Sequence, residues 1–205
     1  LSAALLISAV ACTEEELADN LSNNSGEMRE ISIEASTMDL ETGNEISGVE
    51  TRTMMREGGE VYWNANDVLG VFTSKGELKD FKTDNGGKVT RFTGLNDVED
   101  EFYLFYPYNE KATVDENGII STFLSATQYP EPGSFYNGGS LSVSKNKEGQ
   151  TAVFHQVCSY FRMSISEDYA GEITGLIFEG NDGESLAGKV TINMESEEYK
   201  AVIDE

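Results

Sequence analysis

The sequence predicts an all-β domain whose short strands are spaced as in an antiparallel β-sandwich. Apolar runs after residue 28 are short and are bounded by Gly, Asn, Asp or Pro. Several of them alternate apolar and polar residues, which is the period of a half-buried strand. No segment after residue 11 repeats its apolar residues at helical spacing over about ten positions. An apolar fraction of 39% supplies a core and excludes a wholly disordered acidic chain.

The charge balance excludes polyanionic partners. The chain has 37 acidic and 14 basic residues, and its formal net charge is −23. Such a charge repels nucleic-acid phosphates and anionic lipid surfaces, so we expect no nucleic-acid partner. One His, two Cys and three Pro argue against a zinc module, a disulfide scaffold and a Ser/His/Asp hydrolase. We therefore expect no enzymatic activity, no catalytic or metal-binding residues and no cofactor.

The chain opens with an apolar run, residues 1–11, that we expect to be a truncated export signal. It contains no charge and ends in small residues directly before Cys12. It is too short to span a bilayer as a helix, which takes about 20 apolar residues. The run resembles a bacterial lipoprotein signal, in which the thiol of Cys12 receives the lipid. The alternative is an ordinary secretory signal followed by a chance cysteine.

Residues 12–28 are expected to form a flexible acidic leader. They are rich in Glu, Asn and Ser and almost free of large apolar side chains. Such a segment cannot bury enough surface to offset the entropy that it would lose on folding. The cluster Glu14-Glu15-Glu16 resembles the surface-export tag of lipoproteins in the Bacteroidota, or is simply the start of a solvated tether.

The folded part is predicted to begin with a strand at residues 31–35. Ile31, Ile33 and Ala35 alternate there with polar residues, so the three apolar side chains share one face. A polar stretch over residues 39–49 separates this strand from the next apolar run.

Turn residues delimit the strands that follow. Asn85-Gly86 is typical of a tight hairpin because it supplies positive φ values, and residues 88–93 are predicted to be the returning strand. The aromatic run at residues 102–106 stops at Pro107, as a central sandwich strand does. Two further strands are predicted at residues 68–72 and 119–124.

The longest alternating pattern covers residues 151–166. It places Val153 and Phe161 on one face of a predicted strand and Phe154 on the other. After it, residues 173–178 and 189–194 are predicted to pair across a turn at residues 180–183.

Five short motifs follow one another between residues 51 and 188. They are Thr51-Arg52-Thr53, Trp63 followed by Asn66-Asp67-Val68-Leu69-Gly70-Val71-Phe72, Phe102-Tyr103-Leu104-Phe105-Tyr106-Pro107-Tyr108, Phe154-His155-Gln156-Val157, and Leu186-Ala187-Gly188. In this order they resemble the N-terminal half of a fimbrillin of the Bacteroidota. The resemblance covers roughly residues 28–195, which is most of the chain.

This resemblance implies a stalk, tip or anchor subunit of a type V pilus, exported as a lipoprotein and assembled at the outer surface. Members of the family are built of two transthyretin-like, Greek-key β-sandwich domains. Residues 29–195 would form the first domain, and residues 196–205 a linker or the start of a truncated second one. The expected partners are other pilus subunits, the outer membrane through the lipid on Cys12, and a surface ligand on a host or bacterium.

The resemblance also implies maturation by a trypsin-like protease at an arginine. We expect the cut after Arg52, with Arg29 and Arg56 as alternatives. The strand displaced in this way would be that of Ile31, Ile33 and Ala35. Its loss exposes apolar surface and unpaired backbone groups, which a strand of a neighbouring subunit can cover.

Two reactive side chains have structural interpretations. His155 shares a face with Val153 and Val157, which favours a packed histidine over a catalytic base. Cys158 has no disulfide partner if Cys12 is lipidated, so it is expected to be a small core residue.

Aromatic residues in a stretch rich in Pro and Gly, residues 128–139, leave a second function open. Tyr129, Phe135 and Tyr136 either pack beneath a loop or stack on a sugar ring, and packing is the favoured interpretation. The alternative function is accordingly a surface lipoprotein that does not polymerise and binds a glycan or another ligand as an adhesin.

Overall fold

The strands that the structure describes form two sheets. The computed structural model describes residues 28–37, 61–97, 101–129, 134–161, 163–169 and 171–204. Within these ranges there is no α-helix and one 3-10 turn, Asn137–Gly139, so the predicted all-β class is confirmed. The strands are β1 (Arg29–Thr37), β2 (Val68–Phe72), β3 (Leu78–Lys82), β4 (Val89–Asn96), β5 (Glu101–Tyr106), β6 (Thr113–Val114), β7 (Ile119–Leu124), β8 (Ser142–Lys147), β9 (Ala152–Gln156), β10 (Gly188–Asn193) and β11 (Ala201–Ile203).

Seven strands close into a barrel in the order β1-β4-β3-β2-β5-β8-β9. Neighbours in the ring run antiparallel, except that β1 and β9 are parallel. β1 therefore closes the barrel, because it pairs with β4 on one side and with β9, the last strand of the ring, on the other. The alternation predicted at residues 31–35 is confirmed as part of this closing strand.

The barrel interior is organised around Trp63, which is 1% exposed. Its ring centroid lies 5.2 Å from that of Phe92 and 5.1 Å from those of Tyr106 and Phe154, each pair edge to face. Such edge-to-face pairs add to the stabilisation from buried area. The remaining members of this core are Ile31, Ile33, Ala35, Leu69, Val71, Phe81, Phe102, Leu104 and Ala152.

A second sheet, in the order β11-β10-β7-β6, packs against the outside of the barrel. Phe72, Phe105 and Val143 from β2, β5 and β8 share a second core with residues of β7 and β10. β2 is thus buried on both faces, which explains its continuous apolar sequence. Gly70 is required in β2, because a β-carbon there would lie 2.0 Å from Cε1 of Phe105.

The connection between β3 and β4 differs from the tight hairpin predicted at Asn85-Gly86. β3 and β4 are antiparallel neighbours, but the paired residues are Lys82 and Thr93, so the loop between the strands is wide. The amide of Gly87 donates to the carbonyl of Trp63 at 3.0 Å, and the amide of Trp63 donates back at 2.8 Å. This bridge to a distant segment holds the loop open, so the prediction of a two-residue turn was wrong.

The long strand predicted at residues 151–166 is also shorter than expected. β9 ends at Gln156, and the predicted strand at residues 173–178 does not form. β10 pairs with β7 on one side and with β11 on the other, so no edge of β10 is free for residues 173–178. Their side chains remain exposed, and Ile177 is 89% exposed.

The second sheet continues past residue 195, where the sequence placed the end of the first domain. β11 pairs with β10 from Ala201 to Ile203, so these residues belong to the same sheet and not to a separate linker. The predicted signal at residues 1–11, Cys12 and the leader up to residue 27 lie outside the described residues. In the part of the chain that the structure describes, we find no helix with the length and apolar character needed to cross a membrane.

Candidate functional site

The candidate site is the slot that β1 occupies between β4 and β9. β1 pairs with β4 over eight residue pairs, from Arg29 opposite Asn96 to Ser36 opposite Val89. At its end it also pairs with β9, where Ala35 lies opposite Ala152. Removing β1 would therefore open the barrel and leave unpaired edges on both β4 and β9.

The inner face of β1 contributes directly to the barrel core. Ile31 is 4% exposed, Ile33 3% and Ala35 0%, while the alternate residues Glu30, Ser32 and Glu34 face solvent. Full burial of an isoleucine side chain contributes about 1.5–3 kcal/mol. The two isoleucines together therefore contribute roughly 3–6 kcal/mol that would be lost if β1 left and nothing replaced it.

Two buried hydrogen bonds fasten the C-terminal end of β1 to residues 61–63. Nε1 of Trp63 donates to the carbonyl oxygen of Ala35 at 3.1 Å. Oγ1 of Thr37 donates to the carbonyl oxygen of Val61 at 2.7 Å. Sequence reasoning quoted Trp63 as part of a motif but missed its bond to β1, and nothing in the sequence pattern singles out Thr37.

An exposed ion pair holds the N-terminal end of β1. Nη1 of Arg29 donates to Oε1 of Glu148 at 2.7 Å, and Nη2 contacts the other carboxylate oxygen. The hydrogen bond from Arg29 holds the pKa of Glu148 below its usual range. Because both side chains are well exposed, at 41% and 36%, the pair contributes less than about 1 kcal/mol.

One buried polar group in β1 is unsatisfied. Ser36 is 2% exposed, and its Oγ has no hydrogen-bond partner among the described residues. A buried hydroxyl without a partner costs about 1–3 kcal/mol. β1 is therefore not the best strand for its own slot, since a small apolar residue at this position would avoid the cost.

The predicted cleavage arginines differ in what a cut would release. Arg29 is the first residue of β1, so a cut after it would leave residues 30–37 in the barrel. Arg52 and Arg56 lie outside the described residues, in the sequence between Thr37 and Val61. A cut after either of them would separate β1 from everything that follows.

The two reactive side chains weighed in the sequence are packed against neighbours. The ring of His155 is half-buried, its centroid 5.0 Å from that of Tyr199, and burial lowers its pKa. Cys158 packs at the margin of the second core, and burial raises the pKa of its thiol. Both pKa shifts favour the neutral form, which matches the structural interpretation of each residue.

The three aromatic residues of the 128–139 stretch separate into two groups. The ring of Phe135 lies against that of Tyr160, with centroids 4.6 Å apart, and Tyr136 is half-buried beside Gly138. These two follow the favoured interpretation of packing beneath a loop. Tyr129 does not, because it is 76% exposed.

No family model, curated protein or solved structure matches this chain significantly. The features that bear on function are the slot of β1, the sequence motifs and the exposed surfaces of the described residues.

Proposed function

We propose that this chain is a structural subunit of a surface pilus, as stalk, tip or anchor, and that it assembles by β-strand addition after proteolysis removes β1. The observation that carries the proposal is the place of β1 in the fold. β1 closes the barrel and contributes to its core, yet the chain joins it to the rest of the barrel only through residues 38–60. Arg52 and Arg56 both lie in that connection, so one cut turns β1 into a separate peptide.

Departure of β1 creates a site that only another strand fills well. The inner wall of the slot is apolar, and the edges of β4 and β9 present backbone donors and acceptors. Exposing both to water is costly, which favours capture of an extended segment with alternating apolar residues. A strand from a neighbouring subunit re-forms the ladder with β4 and refills the positions of Ile31, Ile33 and Ala35.

In this proposal, residues 1–28 determine where the protein is located in the cell. The lipid on Cys12 anchors the chain in the outer membrane, and the acidic leader holds the folded domain at the cell surface. A cut after Arg52 then releases the lipid and β1 together. The net charge of −23 discourages unspecific pairing of exposed sheet edges and leaves association to the slot.

We assign the fold, within the same proposal, to the transthyretin-like, Greek-key β-sandwich of an N-terminal fimbrillin domain. Support comes from the apolar layer that β2, β5 and β8 share with β7 and β10. Two β layers packed face to face over a common core are the basis of a sandwich.

A second candidate function is a surface adhesin that binds a glycan and does not polymerise. The observation that favours it is the exposure of two aromatic side chains, Phe123 of β7 at 58% and Tyr129, five residues after the end of β7, at 76%. In such a protein β1 would stay in its slot after proteolysis.

The test is to treat the exported, lipidated chain with an arginine-specific protease, to sequence the new N-terminus and to look for polymers by denaturing electrophoresis without heating. We expect a new N-terminus at Thr53, release of the β1 peptide and a ladder of oligomers. Arg52→Ala should remove the N-terminus at Thr53, and the double variant Arg52→Ala/Arg56→Ala should also block the release of β1 and the ladder, while Arg91→Ala, at an exposed arginine of β4, should behave as the unmodified chain. A chain that is cut after Arg52 but keeps β1 and stays monomeric would contradict the proposal and favour the adhesin.

A further inference from the structure

The slot of β1 encloses residues 35–37 more completely than the rest of the strand. These residues pair with β9, while β4 pairs with β1 from the other side. All three are at most 6% exposed, whereas exposed and buried residues alternate from Glu30 to Glu34. We call the part of the slot around residues 35–37 the end pocket. A strand that enters the slot has to fit the end pocket on both of its faces.

The end pocket has room for a small side chain at the position of Ala35. On the inner face of the barrel, Ala35 lies between Thr90 of β4 and the fully buried Ala152 of β9. Trp63 belongs to the same core, and its Nε1 lies 3.1 Å from the carbonyl oxygen of Ala35. The indole therefore occupies the space beside this row of small residues. A larger side chain at position 35 would need the same space, and overpacking a filled core is destabilising.

The two preceding inner positions hold large side chains. Ile33 lies opposite Phe92 in β4, and Ile31 lies opposite Gly94. A β-carbon on Gly94 would lie 2.5 Å from Cδ2 of Phe81, so the phenylalanine ring covers this glycine. Both isoleucines are buried in the barrel core. The inner face of the slot therefore takes two large apolar side chains and then a small one.

The next position of the same alternation, that of Thr37, favours a hydroxyl group. Oγ1 of Thr37 donates to the carbonyl oxygen of Val61 at 2.7 Å, and both residues are buried. Valine at position 37 has nearly the shape of threonine but no donor, so this carbonyl would lose its bond to the strand. Serine keeps the donor. The small residue and the hydroxyl group are thus both needed at the C-terminal end of the strand.

These two features fix the register of an incoming strand. Side chains of a strand alternate with a period of two, so a shift of β1 by two residues would keep its apolar face inward but place Ile33 at the position of Ala35. Main-chain hydrogen bonds to β4 give affinity to any extended segment, while the pockets for alternate side chains give specificity. Alternation of apolar residues is therefore not sufficient for tight binding in this slot.

We infer that the end pocket determines which strand of a neighbouring subunit can replace β1. The selected strand has large apolar residues at the positions of Ile31 and Ile33. It has Ala or Gly at the position of Ala35, where the indole of Trp63 excludes larger side chains, and Thr or Ser two residues later, where the carbonyl of Val61 accepts a hydrogen bond. This inference rests on the proposed function, since it specifies the partner strand for the same slot.

The test uses the chain cut after Arg52 and isotopically labelled peptides of residues 28–38, with replacement of β1 measured by native mass spectrometry. In the peptide, Ala35→Leu should weaken binding at least about tenfold. Ser32→Leu is the matched control, because it places the same leucine at an exposed position of the strand, and it should change binding by less than about threefold. Thr37→Val should weaken binding about tenfold, and Thr37→Ser by less than about threefold.

The uncut chain tests the end pocket without strand exchange. Ala35→Leu should lower the midpoint temperature of thermal unfolding by at least about 3 °C or prevent folding, because the added side chain competes with the indole. Ser32→Leu should lower it by less than about 1 °C. Equal shifts for the two variants would overturn the inference, because position 35 would then accept a large side chain.

The peptide experiment separates failure of this inference from failure of the proposed function. If the unmodified peptide replaces β1, and the Ala35→Leu and Thr37→Val peptides replace it equally well, the slot accepts any apolar strand. That result would overturn the inference and leave strand exchange standing. If no peptide replaces β1, strand exchange itself is contradicted, and the inference fails with it.

Discussion

β1 and the segment from residue 157 to residue 187 are both rich in apolar residues, but those of β1 are buried and many of those in the later segment are exposed. Apolar and polar residues alternate at positions 31–35 of β1 and at positions 161–165 of the later segment, and residues 173–178 are a short run rich in apolar residues. In β1 the apolar side chains are at most 4% exposed, and the strand pairs on both sides. In the later segment Ile173 is 41%, Phe178 53% and Phe161 73% exposed, and the described residues form no strand.

The difference lies in the edges available to each segment. β1 fits between β4 and β9, whose facing edges no other strand occupies. Residues 173–178 precede β10, but both edges of β10 are paired already. A sequence with the apolar residues of a strand thus forms one only where an open edge and an apolar surface coincide. This is the same condition that would let a foreign strand replace β1.

The largest difference in stability should appear when a charge is placed in β1 and, separately, in residues 173–178. Ile33→Asp puts a carboxylate into the barrel core and should cost about 4 kcal/mol or more, enough to unfold a marginal domain. Ile177→Asp, at a position that is 89% exposed, should change the free energy of unfolding by less than about 0.5 kcal/mol. Urea denaturation followed by circular dichroism measures both. Equal losses would mean that residues 173–178 are as well packed as β1.

A smaller loss is expected from Trp63→Phe. This change removes the hydrogen bond to the carbonyl of Ala35 and part of the edge-to-face packing with three aromatic rings. The free energy of unfolding should fall by about 2–4 kcal/mol, because a buried carbonyl loses its donor and a cavity opens. Tyr129→Phe, at a residue that is 76% exposed, is the control and should have no measurable effect. An unchanged free energy of unfolding in Trp63→Phe would show that the indole does not hold β1.

Ser36→Ala should act in the opposite direction. It removes the buried Oγ that has no hydrogen-bond partner, so β1 should fit its slot better by about 1 kcal/mol. Thermal unfolding should occur a few degrees higher, and exchange of β1 after cleavage should be slower. Ser32→Ala, at an exposed position of the same strand, should leave both unchanged. A lower melting temperature in Ser36→Ala would mean that the hydroxyl is satisfied.

The smallest effect should be that of the Arg29–Glu148 ion pair, and it depends on pH. The hydrogen bond from Arg29 lowers the pKa of Glu148 in the folded state below its ordinary value of 4.5. The pair therefore stabilises the fold above pH 4.5, and this contribution is lost as the pH falls through the lowered pKa. Glu148→Gln should cost less than about 1 kcal/mol at neutral pH and nearly nothing once the pH is below the lowered pKa of Glu148.

Denaturation curves at several pH values measure that difference, with Glu197→Gln as the control at an exposed position in the turn before β11. A difference between Glu148→Gln and the unmodified chain that grows as the pH falls would contradict the assigned sign.

The sequence predicted the all-β class and the inner face of β1, because strand alternation is a local property that Ile31, Ile33 and Ala35 display by themselves. The sequence-based prediction was wrong where contacts with residues distant in the sequence determine the structure. The bridge between Trp63 and Gly87 widens a loop that Asn85-Gly86 alone would have closed tightly. The bond from Thr37 to Val61 joins residues that are distant in the sequence, so no local pattern indicates it.

The central claim, that β1 occupies a slot that another strand can take, is tested most directly by native mass spectrometry of the chain cut after Arg52. An excess of a synthetic peptide with the sequence of residues 28–38 is added, in an isotopically labelled form. We predict that one labelled peptide binds per chain and replaces the endogenous β1, and that the same peptide with Ile33→Asp does not bind. Retention of the endogenous strand against the labelled peptide, or equal binding of the Ile33→Asp peptide, would contradict the account.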